Sequence, residues 1–139
     1  MLPGIYSACE IWVAEGAYQP TENSSGSNVP ADPRTKTFHF KAKVALYGGL
    51  AGTESSRDMR DVAAHKTILS GDIGAPGDNT DNTYYVVTGA TNATIDGFTV
   101  TLGNANGATS DTTSGAGMYN AGSPTVSNCL QEELSYSSS

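Results

Sequence analysis

Short apolar runs separated by turn residues set the pattern of this 139-residue chain. They fall at Ile11-Trp12-Val13-Ala14, Val44-Ala45-Leu46-Tyr47, Thr67-Ile68-Leu69, Tyr84-Tyr85-Val86-Val87-Thr88, Thr94 to Leu102, and Thr125-Val126-Ser127. The runs are rich in β-branched and aromatic residues and are bounded by Gly, Asn, Asp or Pro, which predicts strands. Secondary strands are predicted at Phe38-His39-Phe40 and Met118-Tyr119-Asn120, with His39 facing outward between two inward phenylalanines. Arg57 to Ala64 suggests one helical turn, too short to be more than part of a loop.

Aligned on their first apolar residue, the main runs begin at Ile11, Val44, Ile68, Ile95 and Val126, at intervals of 33, 24, 27 and 31 residues. Similar strands joined by unequal connections predict a solenoid whose coils share strands and differ in loops. A sandwich would place turn signals about every 8 to 12 residues. The expectation is an all-β fold in a single domain spanning 1–139, with about five coils and a height of about 25 Å. Polar, Gly- and Ser-rich stretches at 20–35 and 105–117 predict long surface loops.

Composition sharpens this picture. Gly, Thr, Ser and Asn make up about 40% of the chain, while charged residues are only 15% and 37% is hydrophobic. That is a turn-rich β composition, not a disordered one. The net charge of −7, with all seven basic residues confined between Arg34 and Lys66, argues against nucleic acid as a partner. No run approaches the roughly 20 apolar residues of a membrane span. The N-terminus shows neither the basic nor the apolar region of a signal peptide. Cys9 and Cys129 lie 120 positions apart, which leaves either single thiols or one disulfide.

Several segments resemble a known family when taken together: IWVAEGAYQPT, RTKTFHF, VALYGGLAGTE, AAHKTILSGDIGAPGDNTDNTYYVVTG, ATIDGFTVTLGNANG and GAGMYNAGSPTVSNC. They look like bacterial right-handed parallel β-helix proteins with polymorphic outer membrane protein-type repeats, the choice-of-anchor Q group. The resemblance runs from Glu10 to Cys129 and implies a right-handed parallel β-helix of pectin-lyase-like type. It also implies a secreted or cell-surface parent protein; the expected role is structural or adhesive, with polysaccharide as the candidate ligand. No particular activity comes with it, because one fold hosts many functions. Family members continue beyond both ends, so the expected helix is incomplete at both. The tail 130–139, LQEELSYSSS, is atypical. A one-base shift in codons available to Leu130 to Ser137 reads Phe-Arg-Arg-Asn-Ser-Ala-Thr, near the family's continuation, so the chain is expected to be a fragment ended by a frame change. Uncapped ends would expose Ile11 and Trp12 at one end and Val126 and Leu130 at the other, predicting a homo-oligomer.

Candidate chemistry is sparse. Asp72, Asp78 and Asp81 lie in the loop GDIGAPGDNTDN, whose oxygens could hold calcium, although Asx turns are the favoured reading. The spacing is not that of an EF-hand. Asp96, inside a strand, is either an outward carboxylate beside Asp72 and Ser70 or a turn-bonding one; paired carboxylates about 5–9 Å apart would serve glycoside hydrolysis. His65, with Asp72 and Asp96, completes the candidate catalytic set for a hydrolase or lyase acting on a polysaccharide or ester. No G-x-S-x-G elbow accompanies it. Tyr85 and Tyr119 are candidates either to stack on sugars or to form an aromatic ladder, and Trp12 is expected in the core.

Overall fold

A computed structural model describes residues 9–109, 111–113, 116–120 and 122–132. Residues 110, 114 and 115 of the second polar loop, and 133–139 of the tail, lie outside the described residues. Eleven strands follow in order: β1 (Cys9–Ala14), β2 (Gly16–Tyr18), β3 (Phe38–His39), β4 (Val44–Leu50), β5 (Thr67–Ser70), β6 (Val87–Gly89), β7 (Thr94–Asp96), β8 (Phe98–Thr101), β9 (Met118–Asn120), β10 (Thr125–Ser127) and β11 (Leu130–Glu132). Among the described residues there is no α-helix, only single 3-10 turns. No helix there is long and apolar enough to cross a membrane.

Every strand pairs in parallel with the strand three places along the chain. The sheets are β1-β4-β7-β10, β2-β5-β8-β11 and β3-β6-β9. The molecule is therefore all-β with parallel sheets, an arrangement consistent with a parallel β-helix. In-register residues form columns that cross each sheet, such as Ile11–Leu46–Ile95–Val126 in the first. The second sheet carries Ala17–Ile68–Thr99–Leu130. Ile68 thus belongs to a different sheet from Ile11, Val44, Ile95 and Val126, and the alignment that placed all five in one column is corrected. Its physical origin is the missed strand β2: a bare Gly-Ala-Tyr has little strand signal, so β5 lacked its true partner.

Alternation decides what each column faces. Ile95 is 0% exposed and belongs to a core with Phe40, Leu69, Val86, Val87, Ala93, Phe98 and Val100. The neighbouring column Trp12–Tyr47–Asp96–Ser127 points the other way. Trp12 is accordingly 41% exposed and donates its indole N–H to Glu10 Oε1 at 2.6 Å. The expectation of Trp12 in the core fails because it occupies an even position beside inward Ile11. His39 is exposed between half-buried Phe38 and buried Phe40, as alternation requires.

The corners are made by left-handed residues. The apolar run from Thr94 breaks at Gly97, where φ is +87°, separating β7 from β8. The matching corner between β10 and β11 uses Asn128, at φ +50°, and the two corners are joined by Gly97 N–H donating to the Ser127 carbonyl at 3.1 Å. Glycine and asparagine are the residues that enter this region at low cost.

Candidate functional site

The outward column of the first sheet carries the densest charge. A 3-10 turn at Arg57–Met59, capped by Ser56, delivers Arg57 and Arg60 over Tyr47, at 4.1 and 5.3 Å from the ring centroid. Arg57 pairs with Glu10 at 2.8 Å. Arg60 donates to Asp96 Oδ1 at 2.8 Å and to the Gly48 carbonyl at 3.0 Å. Asn128 adds a second donor to the same Asp96 oxygen, at 3.0 Å. Asp96 is thus neither a free outward carboxylate nor a turn-bonding one; it anchors a guanidinium that spans adjacent strands.

The other two members of the candidate catalytic set lie among different partners. His65 Nδ1 is 2.7 Å from Glu15 Oε2, in a loop shaped by Asp61, whose Oδ1 accepts from the N–H groups of Ala63 and Ala64. The Asp72 carboxylate accepts from the Gly77 N–H at 3.1 and 3.3 Å, and its carbonyl accepts from the Gln19 side chain. Ser70 Oγ accepts from the Asp72 N–H at 3.2 Å. No hydrogen bond joins Asp72, Asp96 and His65 to one another.

Within the acidic loop each carboxylate caps backbone. Asp78 caps the 3-10 turn Asn79–Asp81 and accepts from the Thr80 hydroxyl at 2.6 Å and its N–H at 2.9 Å. The hydroxyl first, then the amide, holds the Asp78 carboxyl below its ordinary value. Asp81 Oδ2 accepts from the Ala75 N–H at 2.8 Å. Among the described residues no three His, Cys, Asp or Glu side chains group closely enough to hold a metal. Three oxygens nevertheless stand buried without a partner on consecutive residues: Asp81 Oδ1, Asn82 Oδ1 and Thr83 Oγ1.

Arg34, within the 20–35 stretch predicted as a surface loop, is a second clasp. Asp32 and Pro33 start the 3-10 turn Pro33–Thr35, with the Asp32 side chain accepting from the Arg34 N–H. The guanidinium then donates to the Asn82 carbonyl at 2.6 Å, the Asn104 carbonyl at 2.9 Å and Asn106 Oδ1 at 2.6 Å. It also covers the Tyr84 ring at 4.2 Å. Tyr84 donates its hydroxyl to Asp32 Oδ2 at 2.7 Å, and that acceptor raises the phenol above its ordinary value. The Asp-Pro-Arg order was the available signal, since Asp before a first-turn Pro starts a helical turn. Tyr85 and Tyr119 stack on each other, with centroids 5.3 Å apart and planes 27° from parallel.

A polar cleft of about 320 Å³ opens between the 19–26 loop and β3, lined in part by Glu22, Ser24, His39 and Lys41. The side chains of Glu22, His39 and Lys41 make no hydrogen bond or ion pair with another described residue. This combination was invisible in the sequence because the loop folds back through an isolated bridge from Asn23 to Lys36. No family model, curated protein or solved structure matches the chain.

Proposed function

We propose that this chain is a segment of a secreted or cell-surface right-handed parallel β-helix protein with a structural and adhesive role. Support for the helix comes from three all-parallel sheets with pairing at every third strand, and parallel crossovers are almost always right-handed. The first sheet has four strands, which favours four successive layers over five. Support for bacterial surface origin rests on the segments that resemble the choice-of-anchor Q proteins.

The observation that carries the adhesive reading is the cleft with uncommitted Glu22, His39 and Lys41. Hydroxyls, an ammonium, an imidazole and a carboxylate at one opening suit the hydroxyl-rich face of a polysaccharide. A glycan array probed with wild type, His39→Ala and Lys41→Ala tests it. Binding without turnover that weakens in both variants supports the reading, and undiminished binding in both would remove the cleft from it.

One observation favours a hydrolase or lyase as the second reading: His65 oriented by Glu15 at 2.7 Å, the arrangement that fixes an imidazole for proton transfer. Chromogenic ester and glycan turnover that disappears in His65→Ala would establish it. Calcium in the acidic loop is a third, separable proposal, centred on Asp81 with neighbouring amide and hydroxyl oxygens, because Asp72, Asp78 and Asp81 do not group together. The unpartnered Asp81 Oδ1 supports it, and a melting temperature indifferent to EDTA would dismiss it.

A further inference from the structure

We propose that a second copy of this chain docks head to tail, its β1–β2–β3 edge against the β10–β11–β9 edge of the first, prolonging all three parallel ladders. The inference rests on the parallel-helix reading and is independent of saccharide binding.

The core-facing columns of the first and third ladders end on apolar residues at both ends of the molecule. In the first sheet, Ile11 is 43% exposed at one end of its column and Val126 is 46% exposed at the other, while Ile95 between them is 0% exposed. In the third sheet the column runs from Phe38 through buried Val87 to Met118. In the second, Leu130, 50% exposed, continues the column of Ile68 and Thr99 on the face away from the core residues Leu69 and Val100. Both ends are also hollow. Ile11, Phe38, Phe40 and Leu46 line an apolar recess of about 250 Å³. At the opposite end, Val100, Met118, Val126 and Cys129, together with polar Asn120, line a mixed recess of about 500 Å³.

Repetition identifies the occupant. An edge strand templates another strand, and β10 ends a ladder in which every contact is parallel, the register shifting once, between Trp12 and Ala14 of β1. The surface that fits beneath β10 is the kind β4 and β7 already present to their neighbours, and β1 presents it. Docking in the same register sets Ile11 of one copy beside Val126 of the other, and Glu10 beside Thr125. Because the two edges differ, the contact is heterologous and leaves a free edge at each end, so growth continues as an open series.

Sedimentation of the full chain over a micromolar concentration range tests this with Ile11→Asp and Val126→Asp, each checked for native circular dichroism. Wild type is expected to form a concentration-dependent ladder of sizes. Each variant alone should lose association by at least about tenfold in dissociation constant. Mixed, they should form a one-to-one dimer and nothing larger, through the intact edge each retains. In a Cys9→Ser background, Glu10→Cys and Thr125→Cys chains should cross-link only when mixed. Monomeric wild type, variants that still associate as wild type does, or one variant that dimerises alone would each overturn the proposal.

Discussion

Arg60 reaches from a loop to Asp96 Oδ1 at 2.8 Å while its other terminal nitrogen holds the Gly48 carbonyl at 3.0 Å, so one guanidinium fastens β4 to β7. Both side chains of the pair are only 16% exposed, which places the bond beyond the weak surface class. Arg60→Ala leaves the half-buried Asp96 carboxylate with Asn128 as its remaining side-chain donor. We expect a loss of about 2 kcal/mol, read as a lower urea midpoint with an unchanged slope. Arg60→Lys should recover only part of it, since an ammonium lacks the fork that serves both strands. An unchanged midpoint in Arg60→Ala would show that the clasp contributes nothing.

Tyr84 supplies a pH signature. Asp32 accepts its hydroxyl, and the folded phenol titrates above the ordinary 10.0. A raised folded value means the contribution is fully present below the unfolded value and is lost as pH climbs through the folded one. Stability should therefore fall on the alkaline side, and Asp32→Asn should flatten that fall. Phenolate absorbance followed against pH, with Tyr84→Phe identifying the residue, checks the direction.

Glu54 runs the opposite way. Its carboxylate accepts N–H bonds from Ala51, Gly52 and Thr53 at 2.7, 3.0 and 3.2 Å. The Ala51 amide is the strongest cause of a titration below the ordinary 4.5. A depressed folded value stabilises above the unfolded value and is lost as pH falls through the folded one. Carboxyl chemical shifts should place Glu54 below the solvent-exposed glutamates, and Glu54→Gln should speed exchange of the Ala51 amide.

Gly71 tests the closeness of the layers. A Cβ there would lie 2.5 Å from the Leu102 carbonyl oxygen and 2.6 Å from Thr83 Oγ1. Gly71→Ala should cost about 3 kcal/mol by overpacking. Gly77→Ala meets nothing within 4 Å but adopts φ of +80°, and should cost about 1 kcal/mol of backbone strain. Equal unfolding midpoints for the two variants would contradict the steric argument.

The two thiols are free and should react unequally. Burial raises the Cys129 thiol above its ordinary value, and its Sγ–H donates to the Ile95 carbonyl at 3.7 Å. Cys9 is exposed. Iodoacetamide at neutral pH should label Cys9 first, since the thiolate is the nucleophile; faster labelling of Cys129 would contradict the burial.

Strand positions were legible where β-branched residues cluster. Thr125–Ser127 and Met118–Asn120 agree with β10 and β9 to the residue. Gly16–Tyr18 was not legible, because its strand character comes from β5 beside it and not from its own side chains. The candidate chemistry fared differently. Asp72, Asp96 and His65 drew notice as polar residues near strands, but their partners Gly77, Arg60 and Glu15 did not. Arg34 and Arg60 act across separations of 48 and 36 positions, which no local pattern records. Glu22 and His39 share a cleft only because a loop doubles back.

Pairing at every third strand also dictates how the chain must acquire its structure. Among the described residues no strand bonds to its neighbour in sequence, so none of these strands forms a hairpin to start from. Ile11 must wait for Leu46, and Leu46 for Ile95. Closing such long stretches of chain costs entropy before any ladder rewards it. The first productive event is therefore the pairing of two strands three places apart in the chain, after which each further parallel strand adds to a finished template.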